Sequence, residues 1–215
     1  MPLTDAQIDR YSRQIIVPRV GGRAQERILA ARIVFAADSR DLEPALAYLV
    51  GAGVGRIELE CGGAAGVDEL AAAMRSLNPD SAVGMYDGRD SSRRAPDLVF
   101  AIIGGTDSLS RARALCANFV RASAVIARLD SPARIGVFPA PPPCARCAGD
   151  LLAPPFGARV GEAGVIAMAA TAEAFKLLVG YDTTPRAALI EFDGYESLTR
   201  EAPANPACAC ASEAP

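Results

Sequence analysis

Short apolar runs separated by stretches of helical period decide what this chain can fold into. RIVFAA (Arg32–Ala37), RIELE (Arg56–Glu60), Ala82–Tyr86, Leu98–Ile103, Ala124–Ala127 and Ile135–Phe138 read as strands. Between them Leu42–Gly53, Val67–Leu77 and Ser108–Arg121 read as helices. Strands alternating with helices of this length form βαβ units. The pattern therefore predicts an α/β fold: a doubly wound, mainly parallel sheet with helices on both faces.

The flanks differ in texture. Thr4-x-x-Gln7 is a capping-box pattern that starts a helix. A basic segment follows, Arg10–Arg27, with apolar residues at Ile15, Ile16, Val20 and Ile28. From Pro139 the sequence PAPPPCARC is too proline-rich for a central strand and reads as a loop carrying two cysteines. Gly164–Val179 reads as a buried, alanine-rich helix, and RAALIEFDG (Arg186–Gly194) as a late strand followed by a turn. The tail APANPACACASEAP is structureless by composition and holds Cys208 and Cys210.

Composition narrows the chemistry. A length of 215 residues suits one large domain, and a net charge of −3 argues against the basic face of a nucleic-acid binder. Histidine is absent, which removes imidazole bases and ligands, and Lys176 is the single lysine among 22 basic residues. Chemistry is left to arginine, carboxylates, cysteine and backbone. The start, MPLTDAQIDRYSRQ, lacks the apolar core of a signal peptide. The longest membrane-like stretch, Pro44–Gly55, is far shorter than the roughly 18 residues of a span. Four of the six cysteines fall in two tight clusters, the pattern of a metal knot in a cytoplasmic protein rather than of a disulfide scaffold.

Several segments occur in the order of one family: RYSRQI (Arg10–Ile15), Ala31-Arg32-Ile33, PALAYLVGAGVGRIEL (Pro44–Leu59), LNPD (Leu77–Asp80), DLV (Asp97–Val99), FPAPPPCARC, GVIAMAATAEAFKLL and FDG. From Arg10 to Cys210 the chain resembles the ThiF/MoeB/HesA proteins, bacterial relatives of ubiquitin-activating enzymes. The resemblance implies a Rossmann-like sheet that binds ATP and adenylates the C-terminal glycine of a small ubiquitin-like or sulfur-carrier protein.

The sequence departs from that pattern at the nucleotide site. Where the family has a glycine-rich turn for phosphate, this chain has Ala37-Asp38-Ser39-Arg40-Asp41-Leu42-Glu43. Ala37, Ser39 and Leu42 place Cβ atoms in the approach path. Asp38, Asp41 and Glu43 read as an acidic helix cap that would occupy the N–H groups and repel phosphate. Cys61-Gly62-Gly63 replaces the family's ribose-binding acid, and Gly104 stands at its magnesium-binding aspartate. Asp107 is the nearest substitute carboxylate. Between Cys147 and Cys208 there is no nucleophilic cysteine, and Cys61 and Cys116 read as small buried apolar residues. ATP and magnesium are therefore not expected as cofactors, and no catalytic residue is assigned.

Two features of the family survive. Cys144, Cys147, Cys208 and Cys210 match its structural zinc knot, with C-x-C in place of the family's second C-x-x-C; the alternative is a lost site with free or oxidised thiols. Arg13 matches the arginine that in the family crosses a dimer interface toward the partner's nucleotide; the alternative is a surface salt bridge between helices. The expected organisation is a dimerising helical segment (1–30), a Rossmann-like domain (31–200) and a cysteine tail (201–215) tied to the 139–149 loop. The leading expectation is a non-catalytic, cytoplasmic subunit. It would form a homodimer, or a heterodimer with an active family member, and it would support adenylation or bind a ubiquitin-like or sulfur-carrier protein. The alternatives are a stand-alone carrier-binding scaffold and an active adenylyltransferase with a site rebuilt around Asp38, Asp41 and Asp107.

Overall fold

The computed structural model describes residues 2–62, 66–88, 94–139, 142–182, 185–194 and 196–211, with backbone only for Ser39 and Arg40. In chain order its elements are α1 (Asp5–Ile15), α2 (Gly21–Ala30), β1 (Arg32–Ala37), α3 (Ser39–Gly51), β2 (Arg56–Glu60), α4 (Val67–Leu77), β3 (Ala82–Met85), β4 (Leu98–Ile103), α5 (Thr106–Asn118), β5 (Ser123–Arg128), β6 (Ala133–Phe138), α6 (Ala163–Val179), β7 (Ala188–Asp193) and β8 (Glu196–Glu201). All eight strands form one sheet, ordered β3-β2-β1-β4-β5-β6-β7-β8. From β3 to β5 every pairing is parallel, and from β5 to β8 every pairing is antiparallel.

Strands covered on both faces must be apolar where they are buried, and β4 and β1 after Arg32 are. Alternate residues supply two cores. Ile33, Phe35, Leu98, Phe100, Val125 and Ile135 meet α2, α3, α4 and α6. Val34, Ala36, Val99, Ala101 and Ile126 meet α5 and the 3-10 turns at Ala145–Cys147 and Gly149–Leu151. The rings of Phe35 and Phe100 stack at 4.7 Å across the first core. Among the described residues no helix is long and apolar enough to cross a membrane.

The capping box at Thr4 forms as the sequence predicts, with Gln7 N–H donating to Thr4 Oγ1 and Thr4 N–H to Gln7 Oε1. The basic segment beyond it is two helices, broken around Pro18 where Arg19 and Gly21 adopt positive φ. Two segments of the resemblance, RYSRQ and LNPD, turn out to be one contact. Buried Tyr11 bonds Asn78 and Asp80, Arg10 pairs with Asp80, and Asn78 Nδ2 donates to Val50 O. Burial pushes the Tyr11 hydroxyl up to about 12. The tyrosine ring needs Gly53, where φ is +91° and an added Cβ would lie 2.7 Å from the ring. That glycine also stops α3 at Gly51, two residues short of the predicted end.

One strand escapes the sequence reading. β8 (ESLTRE) has a single apolar residue and no buried face, so nothing in its pattern marks it. It forms because the turn after β7 folds it back into an antiparallel hairpin. The last strand therefore ends at Glu201.

Candidate functional site

In an open α/β sheet ligands bind outside the carboxyl ends of the strands, where the strand order reverses. Here that point lies between β1 and β4, and the chain's own side chains fill it. Asp38 follows β1; its carboxylate accepts from Arg111 Nη2 at 2.7 Å and from Ser108 Oγ at 2.8 Å, both on α5. Asp41, in the first turn of α3 and buried, accepts from both Nη atoms of Arg159, at 2.9 and 2.5 Å. The bond to Asp41 raises the Arg159 pKa above its ordinary value.

These contacts correct the expectation of an acidic cap. The Asp38 side chain makes no capping bond to α3, because a guanidinium and a hydroxyl from another helix claim it. Glu43 and Asp107 are both exposed. Leu42 is buried in the first core. The Ser39 side chain and Gly63 lie outside the described residues. Ala37 contributes its carbonyl, which accepts from Arg111 Nη2 at 3.3 Å. Arg111 also reaches β2: a Cβ on Gly62 would meet its Nη1 at 3.0 Å. Arg111 thus lies across the ends of two strands, and its buried Nε has no partner among the described residues.

Gly104 gains a physical reason. A Cβ there would lie 2.4 Å from Asp41 Oδ2 and 2.6 Å from Arg159 Nη1. The Asp41–Arg159 pair occupies the space a side chain at 104 would need. Ser108 Oγ accepts from the N–H groups of Gly104 and Gly105, so donors at the start of α5 are also used internally.

A buried network sets Arg159 in place. Arg128 forks onto both oxygens of Asp130, at 2.6 and 2.9 Å, and donates to the carbonyls of Ala153 and Pro155. Asp130 also accepts from Gly157 N–H at 2.7 Å. Backbone bonds between 129–131 and 158–160 then lay Arg159 over the end of the sheet. Burial opposes the Asp130 charge, but bonds from Arg128 and Gly157 more than offset it and hold its pKa below the ordinary value. Sequence reasoning missed Arg111, Ser108 and Arg159. Their partners lie 70 to 118 residues away, and arginine on a helix or in a loop carries no local signal.

A second site lies on the α5 side of the sheet. The sulfur atoms of Cys144, Cys147, Cys208 and Cys210 all lie within 4.8 Å of one another. Cys144 and Cys208 approach to 3.6 Å and Cys147 and Cys210 to 3.5 Å, with no disulfide formed. Thiolates at about 2.3 Å from a zinc ion lie roughly 3.8 Å apart along the edges of a tetrahedron. The C-x-C spacing therefore does not prevent convergence, and the four residues fit a metal ion. Burial pushes the Cys144 thiol up to about 12, while a bond from the Cys210 backbone brings Cys208 down to about 7. Cys116 is apart from this cluster, buried and likewise pushed up to about 12 by burial; Cys61 is half-buried at the end of β2. Arg13 sits in the last turn of α1, exposed, without an ion-pair partner among the described residues.

No protein-family model matches the chain. A curated sulfur carrier protein adenylyltransferase of Thermus thermophilus is 46% identical over 57 residues, covering 26% of this chain and 21% of that protein. An adenylyltransferase and sulfurtransferase, uba4, of Aspergillus fumigatus is 28% identical over 91% of this chain and 49% of its own length. Among solved structures, E. coli MccB with ATP superposes with a TM-score of 0.67 at 13% identity, covering 94% of this chain and 74% of that one. The chain has the ThiF/MoeB fold. It spans between about a fifth and a half of the length of the curated relatives it matches. At the point where its strand order reverses, two aspartate–arginine pairs stand together.

Proposed function

We propose that this chain is a non-adenylating member of the ThiF/MoeB group that supports an active partner working on a ubiquitin-like or sulfur-carrier protein. One observation carries the reading. The carboxylates of Asp38 and Asp41 stand where a phosphate-binding turn needs free N–H donors, and each is held by an arginine. A nucleotide would have to displace two ion pairs, one of them buried at its carboxylate end, before meeting any donor. The residues present do not fit Mg-ATP.

The supporting role rests on α1. Its inner face is fixed by Tyr11, while Ile8, Ile16 and Val17 are exposed beside Arg13. Residues 1–30 are the dimerising segment in this reading, and Arg13 reaches a partner's nucleotide, as a charge lent in trans. The four cysteines hold zinc as a closed structural site that ties residues 201–215 to the 139–149 loop and does no chemistry.

The test has two parts. Titration of the purified chain with Mg-ATP is expected to show no binding tighter than millimolar; a micromolar dissociation constant overturns the non-adenylating reading. In a complex reconstituted with an active relative, Arg13→Ala is expected to lower pyrophosphate exchange about a hundredfold at unchanged complex mass. Full exchange with intact assembly removes the in-trans role and leaves a carrier-binding scaffold.

A further inference from the structure

β8 is the outer strand of the antiparallel half of the sheet, and all six of its residues are exposed. An open strand edge presents unpaired N–H and C=O groups and is a template for another strand. Which groups are free follows from the hairpin. Ala202 N–H donates to Ala187 O, so this opposed pair is hydrogen-bonded. Hydrogen-bonded and non-bonded pairs alternate along an antiparallel ladder. In the observed register, Arg200, Leu198 and Glu196 therefore bond inward to Leu189, Glu191 and Asp193. The backbone groups of Ser197, Thr199 and Glu201 point outward, to the free edge.

We propose that β8 pairs with β8 of a second copy of this chain, antiparallel about a two-fold axis at Leu198. Symmetry and the outward groups allow few registers, because bonded residues of one copy must meet bonded residues of the other. With Leu198 on the axis, Ser197 bonds Thr199 of the second copy and Leu198 faces its own equivalent. Glu196 then faces Arg200, twice. The last two contacts fall on non-hydrogen-bonded pairs, where Cα atoms are only about 4.5 Å apart and side chains touch most closely. Sliding the pair by two residues sets Leu198 against Arg200 or against Glu196, and the charge match is lost. Only this register joins acid to base and apolar to apolar.

The side chains are free to do so. Leu198 is 66% exposed, and neither Glu196 nor Arg200 has an ion-pair partner among the described residues. Charged residues on an edge ordinarily repel a second strand. Here their order, acid, apolar, base on one face, makes the edge repellent to most strands and complementary to itself. A single strand pair is a small interface, below the roughly 1,200 Å² of stable complexes, so the dimer forms at high concentration and exchanges. This inference is independent of the crevice and of Arg13.

Sedimentation of the whole chain over a roughly hundredfold concentration range tests it. The native protein is expected to show reversible, concentration-dependent growth in mass through β8. Glu196→Arg and Arg200→Glu each set like charges opposite one another twice and are expected to weaken that association tenfold or more. The combined variant Glu196→Arg, Arg200→Glu exchanges the two charges and is expected to restore it, which a folding defect would not. Leu198→Cys is expected to cross-link to its equivalent on mild oxidation, because about 4.5 Å between Cα atoms lies within disulfide reach. A native chain with no concentration-dependent association overturns the proposal. So does a mass indifferent to all three charge variants, the result expected if another surface mediates self-association or if the edge serves a different protein's strand. Failure of the combined variant to restore association also overturns it.

Discussion

The crevice and the cysteine cluster each bring together four side chains from distant parts of the chain, and they solve opposite problems. In the crevice two carboxylates meet two guanidinium groups, so the charges neutralise within the protein. In the cluster four like ligands converge within 4.8 Å with nothing of opposite kind among them. A set complementary to itself needs no ligand; a set of one kind calls for a cation. The same fold thus balances one site by composition and gathers in the other four ligands that could hold a metal ion.

The largest expected effect lies in the cluster. Zinc is expected to co-purify at about one equivalent per chain, and Cys144→Ser to weaken its binding by about a hundredfold or more, as loss of one of four ligands does for structural sites. Metal analysis and limited proteolysis check this, with the tail cut and the sheet intact. Zinc-free protein prepared under reducing conditions would abolish the contrast between the two sites.

Next comes the crevice. Asp41→Ala leaves the Arg159 charge half-buried without its partner and is expected to cost about 2–3 kcal/mol, near the low end for a broken buried pair. Urea unfolding of Asp41→Ala, Arg159→Ala and the double variant measures the coupling. A double variant no more stable than the sum of the singles would mean that the pair is not self-sufficient.

Acid should loosen the support behind that pair. The Asp130 pKa is depressed in the folded protein, so its stabilisation is complete above the ordinary carboxylate range and is lost as pH falls through the folded value. Unfolding followed at falling pH is expected to show an acid limb that Asp130→Asn flattens, at the cost of lower stability near neutral pH.

The smallest effect is the most pointed. Asp38→Asn with Asp41→Asn leaves Arg111 and Arg159 without carboxylates, so sulfate is expected to raise the melting temperature of this variant by a few degrees through simple mass action. The native protein is expected not to respond. Equal responses would show that the aspartates do not act as the site's own anions.

The parallel half of the fold was legible because β1 and β4 are buried on both faces and read as apolar runs. β8 was not, since a strand with no buried face has no period to detect. The cysteines were legible as a set because their type is rare and their spacing tight. At the crevice, sequence singled out the turn after β1, yet misassigned what Asp38 does. Asp38 and Asp41 look like cap residues beside α3; only the folded chain brings Ser108, Arg111 and Arg159 to them.

Gly104 carries a consequence for anyone who would place a carboxylate at the end of β4. Installing an aspartate there, the obvious first step, drives a side chain into Asp41 and Arg159 at 2.4 and 2.6 Å. Removing one member of the pair first instead strands the charge of the other and costs stability. A side chain at 104 therefore has room only if positions 41 and 159 change with it.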